Sequence, residues 1–253
     1  MSDTISLIWK LSILAELGVA VRLLLQGLGG EYPALLTACS VLPIKSLFLI
    51  AFYSAGDSKV LLFWKAAQPI EWVLYSWVVF ELFSRWTRSY RGIGRFGKFL
   101  LAGLLAGALI VSIAFSWGEW KALVFAGELR IYFLLNRVTW ATLGLFIVFT
   151  WLFFRNYPVA VAPNVGRHTR IAAFYYVTVA LSEFAFNLTG LKVGAWLNLS
   201  LVTISLGCFS AWALLLTRKG QIVPQQQVIS TTDKERIEKV NRELLVLMRK
   251  FPG

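Results

Sequence analysis

The run LGLFIVFTWLFF, from Leu143 to Phe154, carries no charged side chain and a single hydroxyl. Membrane-spanning strands alternate polar and apolar residues over stretches of about ten, and this run does not alternate, so it reads as a helix in an apolar solvent. A bilayer core about 30 Å thick takes about 20 apolar residues of helix. Around the run such a stretch covers 124 to 154, and others lie at 6 to 26, 32 to 53, 60 to 84, 97 to 117, 170 to 190 and 194 to 217. The expected fold is all-α, a polytopic membrane protein with seven transmembrane helices. Composition agrees, because 58% of the 253 residues are apolar and 15% charged, with a mean hydropathy of +0.68. A soluble domain carries about 45–50% apolar and about 25% charged residues.

Lys and Arg resist translocation and stay in cytoplasmic loops. Arg85, Arg88, Arg91, Arg95 and Lys98 follow span three, Arg155, Arg167 and Arg170 follow span five, and Arg218 and Lys219 follow span seven. The opposite loops offer Lys59, Lys121 and Lys192. The amino terminus is therefore expected outside and the carboxyl terminus in the cytoplasm. The start, MSDTIS, is acidic and has no small-residue cleavage site, so span one reads as an uncleaved helix. The net charge of +12 is placed where an anionic leaflet attracts it, and nucleic acid is not an expected partner. The expected partner is the lipid bilayer of a bacterial inner (plasma) membrane. Cys39 and Cys208 fall inside spans and read as small buried hydrophobes, not a disulfide framework.

Three segments follow: a membrane domain at 1–218, a polar linker at 219–231 and a cytoplasmic amphipathic helix at 232–250. That helix opens on a capping box, Thr232 with Glu235. Ile237, Val240, Leu244, Leu247 and Met248 share one face. Acids and bases alternate on the other, which suits pairing with a second copy or a protein partner better than a basic lipid anchor. Span four has no ionisable residue between Lys98 and Glu119 and carries Gly103 and Gly107 in GxxxG spacing. Small residues there let helices approach closely, either within the bundle, the favoured reading, or between copies.

Charge inside the other spans is the informative anomaly, since an ionisable group at the bilayer centre costs about 2.5 kcal/mol or more and usually faces the bundle interior. Glu16 falls mid-span one, Lys45 in span two, Lys65 and Glu71 in span three, Glu128, Arg130 and Arg137 in span five, and Glu183 in span six. Arg130 and Arg137 are nearly in line; Glu183 shares a face with Asn187, Gln68 and Glu71 with Tyr75, and Asn198 with Ser205. Pro43 and Pro69 lie beside Lys45 and Glu71, where a lost backbone hydrogen bond can open a cavity. Two readings stay open. One is an outer pocket holding a small polar or anionic ligand against Lys45, Lys65, Arg130 or Arg137; the other is closed ion pairs that set helix register. Lys10, Arg22 and Glu81 lie nearer the interfaces, where snorkelling accounts for them.

Arg85, Arg88, Arg91 and Arg95 have a three-residue rhythm, but Ser89, Gly92 and Gly94 interrupt it and it reads as a solvated loop. The single histidine, His168, falls in the Asn164 to Arg170 loop and reads as a surface residue. It cannot by itself make a bis-histidine haem or a histidine-rich zinc site, and no cofactor or metal is expected. No GxSxG or similar nucleophile motif accompanies it, so enzyme activity is the last expectation.

Helix number and orientation resemble a microbial rhodopsin, but Ala195 to Thr217 holds no lysine for a retinal Schiff base. Size and a linker-like fourth helix resemble the small sugar transporters of three-plus-one-plus-three helices, whose Pro-Gln motifs are missing; Gln68-Pro69 is the reverse order. Glu31-Tyr32-Pro33, Glu81-Leu82-Phe83 and Arg91-Gly92-Ile93-Gly94-Arg95 resemble a group of uncharacterised seven-helix bacterial membrane proteins. That resemblance implies a membrane bundle and carries no activity. No three-helix repeat is legible on either side of span four. The functional expectation is a sensor or receptor-like module. The alternatives are a small-solute transporter, or an accessory subunit whose 11 Trp and 19 Phe face lipid or a larger complex.

Overall fold

Helix α1 (Asp3–Leu25) stops because Gly27 takes left-handed backbone, φ 66°. Leu28 N–H then donates to Leu23 O at 2.8 Å and Gly27 N–H to Leu24 O at 3.0 Å. These are the two bonds of a Schellman close, with Leu23 and Leu28 buried together under it. Helix α2 (Pro33–Ser54) opens on a proline, whose fixed φ suits the first turn and whose missing N–H has no intrahelical partner to lose there. Then come α3 (Val60–Arg88), α4 (Gly94–Trp117), α5 (Glu128–Arg155), α6 (Pro163–Thr189), opened by a second proline, and α7 (Leu191–Leu215). A 3-10 turn at Lys219–Gln221 ends the series. This computed structural model describes residues 3–54, 60–88, 94–117, 128–155, 161–189 and 191–222, with Glu235, Glu238, Lys239 and Arg242. Among them the chain is all-helical, while the apolar face expected at 232–250 lies outside the described residues.

The helices close a ring in the order α1, α2, α3, α5, α6, α7, with α7 lying along α1. Helix α4 stands outside the ring against α5. Two three-helix halves result, and the buried positions of α2 and α6 match. Tyr32, Ala34, Leu35, Ala38, Cys39, Leu42 and Pro43 are buried on α2 and its approach; Ala162, Asn164, Val165, His168, Thr169, Ala172 and Ala173 are buried at the same spacing on α6. With the same offset, Val78, Val79, Leu82 and Trp86 of α3 correspond to Cys208, Phe209 and Trp212 of α7 and to Leu216 just past its end. Helix α5 is buried along much more of its length than α1, so that pair shows no single register. The two halves thus share a buried pattern at α2 and α6 and in part at α3 and α7, although few residue identities carry it.

Among the described residues three helices are long and apolar enough to cross a membrane: Pro33–Phe52, Ile131–Arg155 and Trp196–Leu215. They make this a membrane-associated helical protein. Helices α1, α3 and α6 have ample length, at 23, 29 and 27 residues, but their charges break the apolar window. Their outward faces are nonetheless apolar, with Leu7, Leu14, Leu24, Leu62, Val73, Phe174 and Leu181 all more than half exposed. A protein in water seldom shows so large an apolar surface.

Span four packs differently from its expectation. Gly103 is exposed, and a side chain at Gly103 or Gly107 would meet nothing. Helix α4 instead uses Ala108 and Ser112 against the bundle. The close approach belongs to Gly144 of α5, whose Cβ would sit 3.4 Å from the Tyr176 and Val177 backbone of α6.

Candidate functional site

Asn136 of α5 is the hub of the buried polar groups. Its Oδ1 accepts Trp72 Nε1 at 2.8 Å, Gln68 Nε2 at 2.9 Å and Trp140 Nε1 at 3.0 Å, while its Nδ2 donates to Glu183 Oε1 at 2.8 Å. Three donors around one oxygen set the amide's orientation, because a flipped group would oppose N–H to N–H. Gln68 passes the network on by accepting Lys45 Nζ at 3.3 Å, and Lys45 is ion-paired to Glu71. Side chains of α2, α3, α5 and α6 are thereby linked in one chain, Glu71–Lys45–Gln68–Asn136–Glu183. Arg137, fully buried, lies 4.7 Å over the Phe184 ring and within electrostatic reach of Glu183. Glu16 of α1 faces Lys45 and Glu71.

The expected set therefore divides. Glu16, Lys45, Gln68, Glu71, Arg137 and Glu183 converge. Tyr75 lies one layer away, its hydroxyl 3.2 Å from that of Tyr175, and the Tyr176 hydroxyl donates to Tyr75 O at 3.4 Å. Ser205 bonds Tyr175 from α7. Lys65 sits 5.8 Å from the Tyr132 ring. Asn198 is exposed on α7 and does not join the network, so its helical spacing from Ser205 misled. Side chains of Glu128, Arg130 and Asn187 lie outside the described residues. Asn136, Trp72 and Trp140 went unnoticed in the sequence, although Asn136 and Trp140 are four apart beside Arg137 and could have flagged a polar face.

At the other end of the bundle a second cluster ties the halves together. Arg85 Nη1 reaches Glu31 Oε2 at 2.8 Å and its guanidinium lies 4.4 Å over the Tyr32 ring. Gln221 receives the Tyr32 hydroxyl at 2.9 Å and donates to Glu31 at 3.3 Å. Asn164 clasps Thr217, donating to its carbonyl at 2.7 Å and accepting its N–H at 3.4 Å. Glu81, expected to snorkel, instead accepts Ala34 N–H at 2.7 Å and caps α2 from α3. Between these groups lies a groove of about 700 Å³ lined by Gln26, Glu31, Arg218, Lys219 and Gln221.

His168 is no surface residue. It occupies the start of α6, ahead of the apolar stretch after Arg170, fully buried and edge-on to Tyr32 and Trp212 at 5.5 Å each. Neither ring nitrogen has a side-chain partner among the described residues. Burial, with the Arg85 charge adding to it, pushes its pKa down to about 3. Among the described residues no His/Cys/Asp/Glu group has the makings of a metal site. No protein-family model, curated protein or solved structure matches this chain.

Proposed function

We propose that this chain is a seven-crossing protein of the bacterial inner membrane, amino terminus outside, that carries a small polar solute between two three-helix halves. Transporters built from parallel repeats bind substrate near mid-membrane at the repeat interface. The observation that carries the reading is the Asn136 hub, which joins Gln68 and Trp72 of the first half to Glu183 of the second in a bundle where α2 and α6 share their buried pattern. That shared pattern favours a carrier over the sensor expected from the sequence. Three carboxylates, Glu16, Glu71 and Glu183, against the two bases Lys45 and Arg137 favour a neutral or cationic solute over an anion.

One carboxylate on each of α1, α3 and α6, namely Glu16, Glu71 and Glu183, is turned toward the network, which supports counting these helices as crossings. Single cysteines placed at Lys59, Lys121 and Arg88 test the topology: the first two should label from outside cells and the third only after permeabilisation. Transport is tested in proteoliposomes on a solid-supported membrane, with amino acids, sugars and polyamines as probes. A solute-evoked current that disappears in Asn136→Ala is expected. Thermal stabilisation by a probe with no current would return the protein to the receptor class.

A further inference from the structure

Glu16 is the acid left over by the network. Lys45 is engaged with Glu71 and Gln68, and Glu183 has the Asn136 amide with Arg137 nearby. Glu16 Oε2 is buried with no hydrogen-bond partner among the described residues. The titratable groups that face Glu16 are Cys39 and Lys45 of α2, Glu71 and Tyr75 of α3, and Tyr175 of α6. On α7, which packs along α1, the buried titratable side chain is Cys208. Among these the cation is Lys45, and one ammonium cannot neutralise two carboxylates. A lone buried carboxylate is costly to keep ionised, and beside a second carboxylate it takes up a proton instead.

From this geometry we propose that Glu16 is a proton-binding site: it holds a proton while Lys45 stays on Glu71, and gives it up to water when Lys45 is shared with Glu16. Each exchange shifts the Lys45 ammonium between α3 and α1 and so biases how α1, α2 and α3 pack. The purpose of the proton, as the coupling ion, rests on the transport reading; the protonation itself does not.

Infrared difference spectra of the full chain in lipid, acid minus alkaline, test the site directly. A protonated-carboxyl C=O band is expected in the wild type, lost in Glu16→Gln, shifted in frequency in Glu16→Asp, weakened in Glu71→Gln, where Lys45 is released to pair with Glu16, and retained in Glu183→Gln. A wild-type protein without that band, or a band that persists in Glu16→Gln, overturns the site. Proteoliposomes loaded with pyranine and given a potassium diffusion potential then test coupling. Proton entry in the wild type should fall to the level of empty vesicles in Glu16→Gln. The band at Glu16 without proton entry upholds the site and defeats its role in coupling, as does entry undiminished in Glu16→Gln, while the transport reading itself falls only with the solute-evoked current.

Discussion

Asn136 donates its amide to Glu183 Oε1 at 2.8 Å, and this one bond joins α5 to α6 while the Asn136 carbonyl holds two tryptophans and Gln68. Asn136→Leu fits the space roughly but leaves four buried partners unmatched. Membrane hydrogen bonds are worth about 0.6–1.7 kcal/mol each, so the loss should total about 2–4 kcal/mol. Reversible unfolding in mixed micelles measures it, and Asn136→Gln should recover less than half because the longer arm misplaces both ends.

Lys45 and Glu71 form an ion pair whose side chains are 15% and 18% exposed. Removing one partner leaves a mostly buried charge, which costs about 3 kcal/mol or more, whereas removing both does not. Lys45→Met and Glu71→Gln should each destabilise the protein, and the double variant should be more stable than either. A double-mutant cycle with additive losses would contradict the pairing.

His168 is held neutral, its pKa lowered from 6.5 to about 3. Below pH 6.5 the unfolded imidazole binds a proton that the folded one refuses, so this contribution to stability is complete above 6.5 and declines as pH falls toward 3. The slope is about 1.4 kcal/mol per pH unit, or about 2 kcal/mol between pH 6.5 and 5. His168→Phe keeps the edge-on contacts with Tyr32 and Trp212 and should remove that part of the acid sensitivity in melts run across pH.

Glycines on α4 and α5 should behave oppositely. At Gly103 an added side chain meets open space, while at Gly144 it meets the α6 backbone at 3.4 Å. Gly144→Leu should destabilise the folded chain by about 2 kcal/mol through overpacking. Gly103→Leu should leave its unfolding within about 0.5 kcal/mol of wild type.

Much of the fold was legible because burial in lipid is written in composition. Apolar runs such as Leu143 to Phe154 specify a helix whatever packs beside them, and a charge inside an apolar helix tends to turn away from the apolar side, which is why Glu16, Lys45, Glu71, Arg137 and Glu183 could be singled out as charges within apolar stretches. Asn198 failed because helical spacing says which residues share a face and not which way the face points. His168 failed because an aromatic cage is assembled from three separate segments, around Tyr32, α6 and Trp212.

By itself the sequence determined an all-helical, lipid-facing chain and the residues that lipid would reject. Only the tertiary structure decided that Asn136 is the hub, that Glu16 has no base of its own among the described residues, and that α2 and α6 bury the same pattern of positions. Helix formation and exclusion from lipid are local, additive properties of a stretch of residues. Pairing and repeat symmetry depend on positions in space, where Ala38 and Cys39 can occupy the places that His168 and Thr169 take in the other half without sharing an atom of side-chain chemistry beyond the β-carbon.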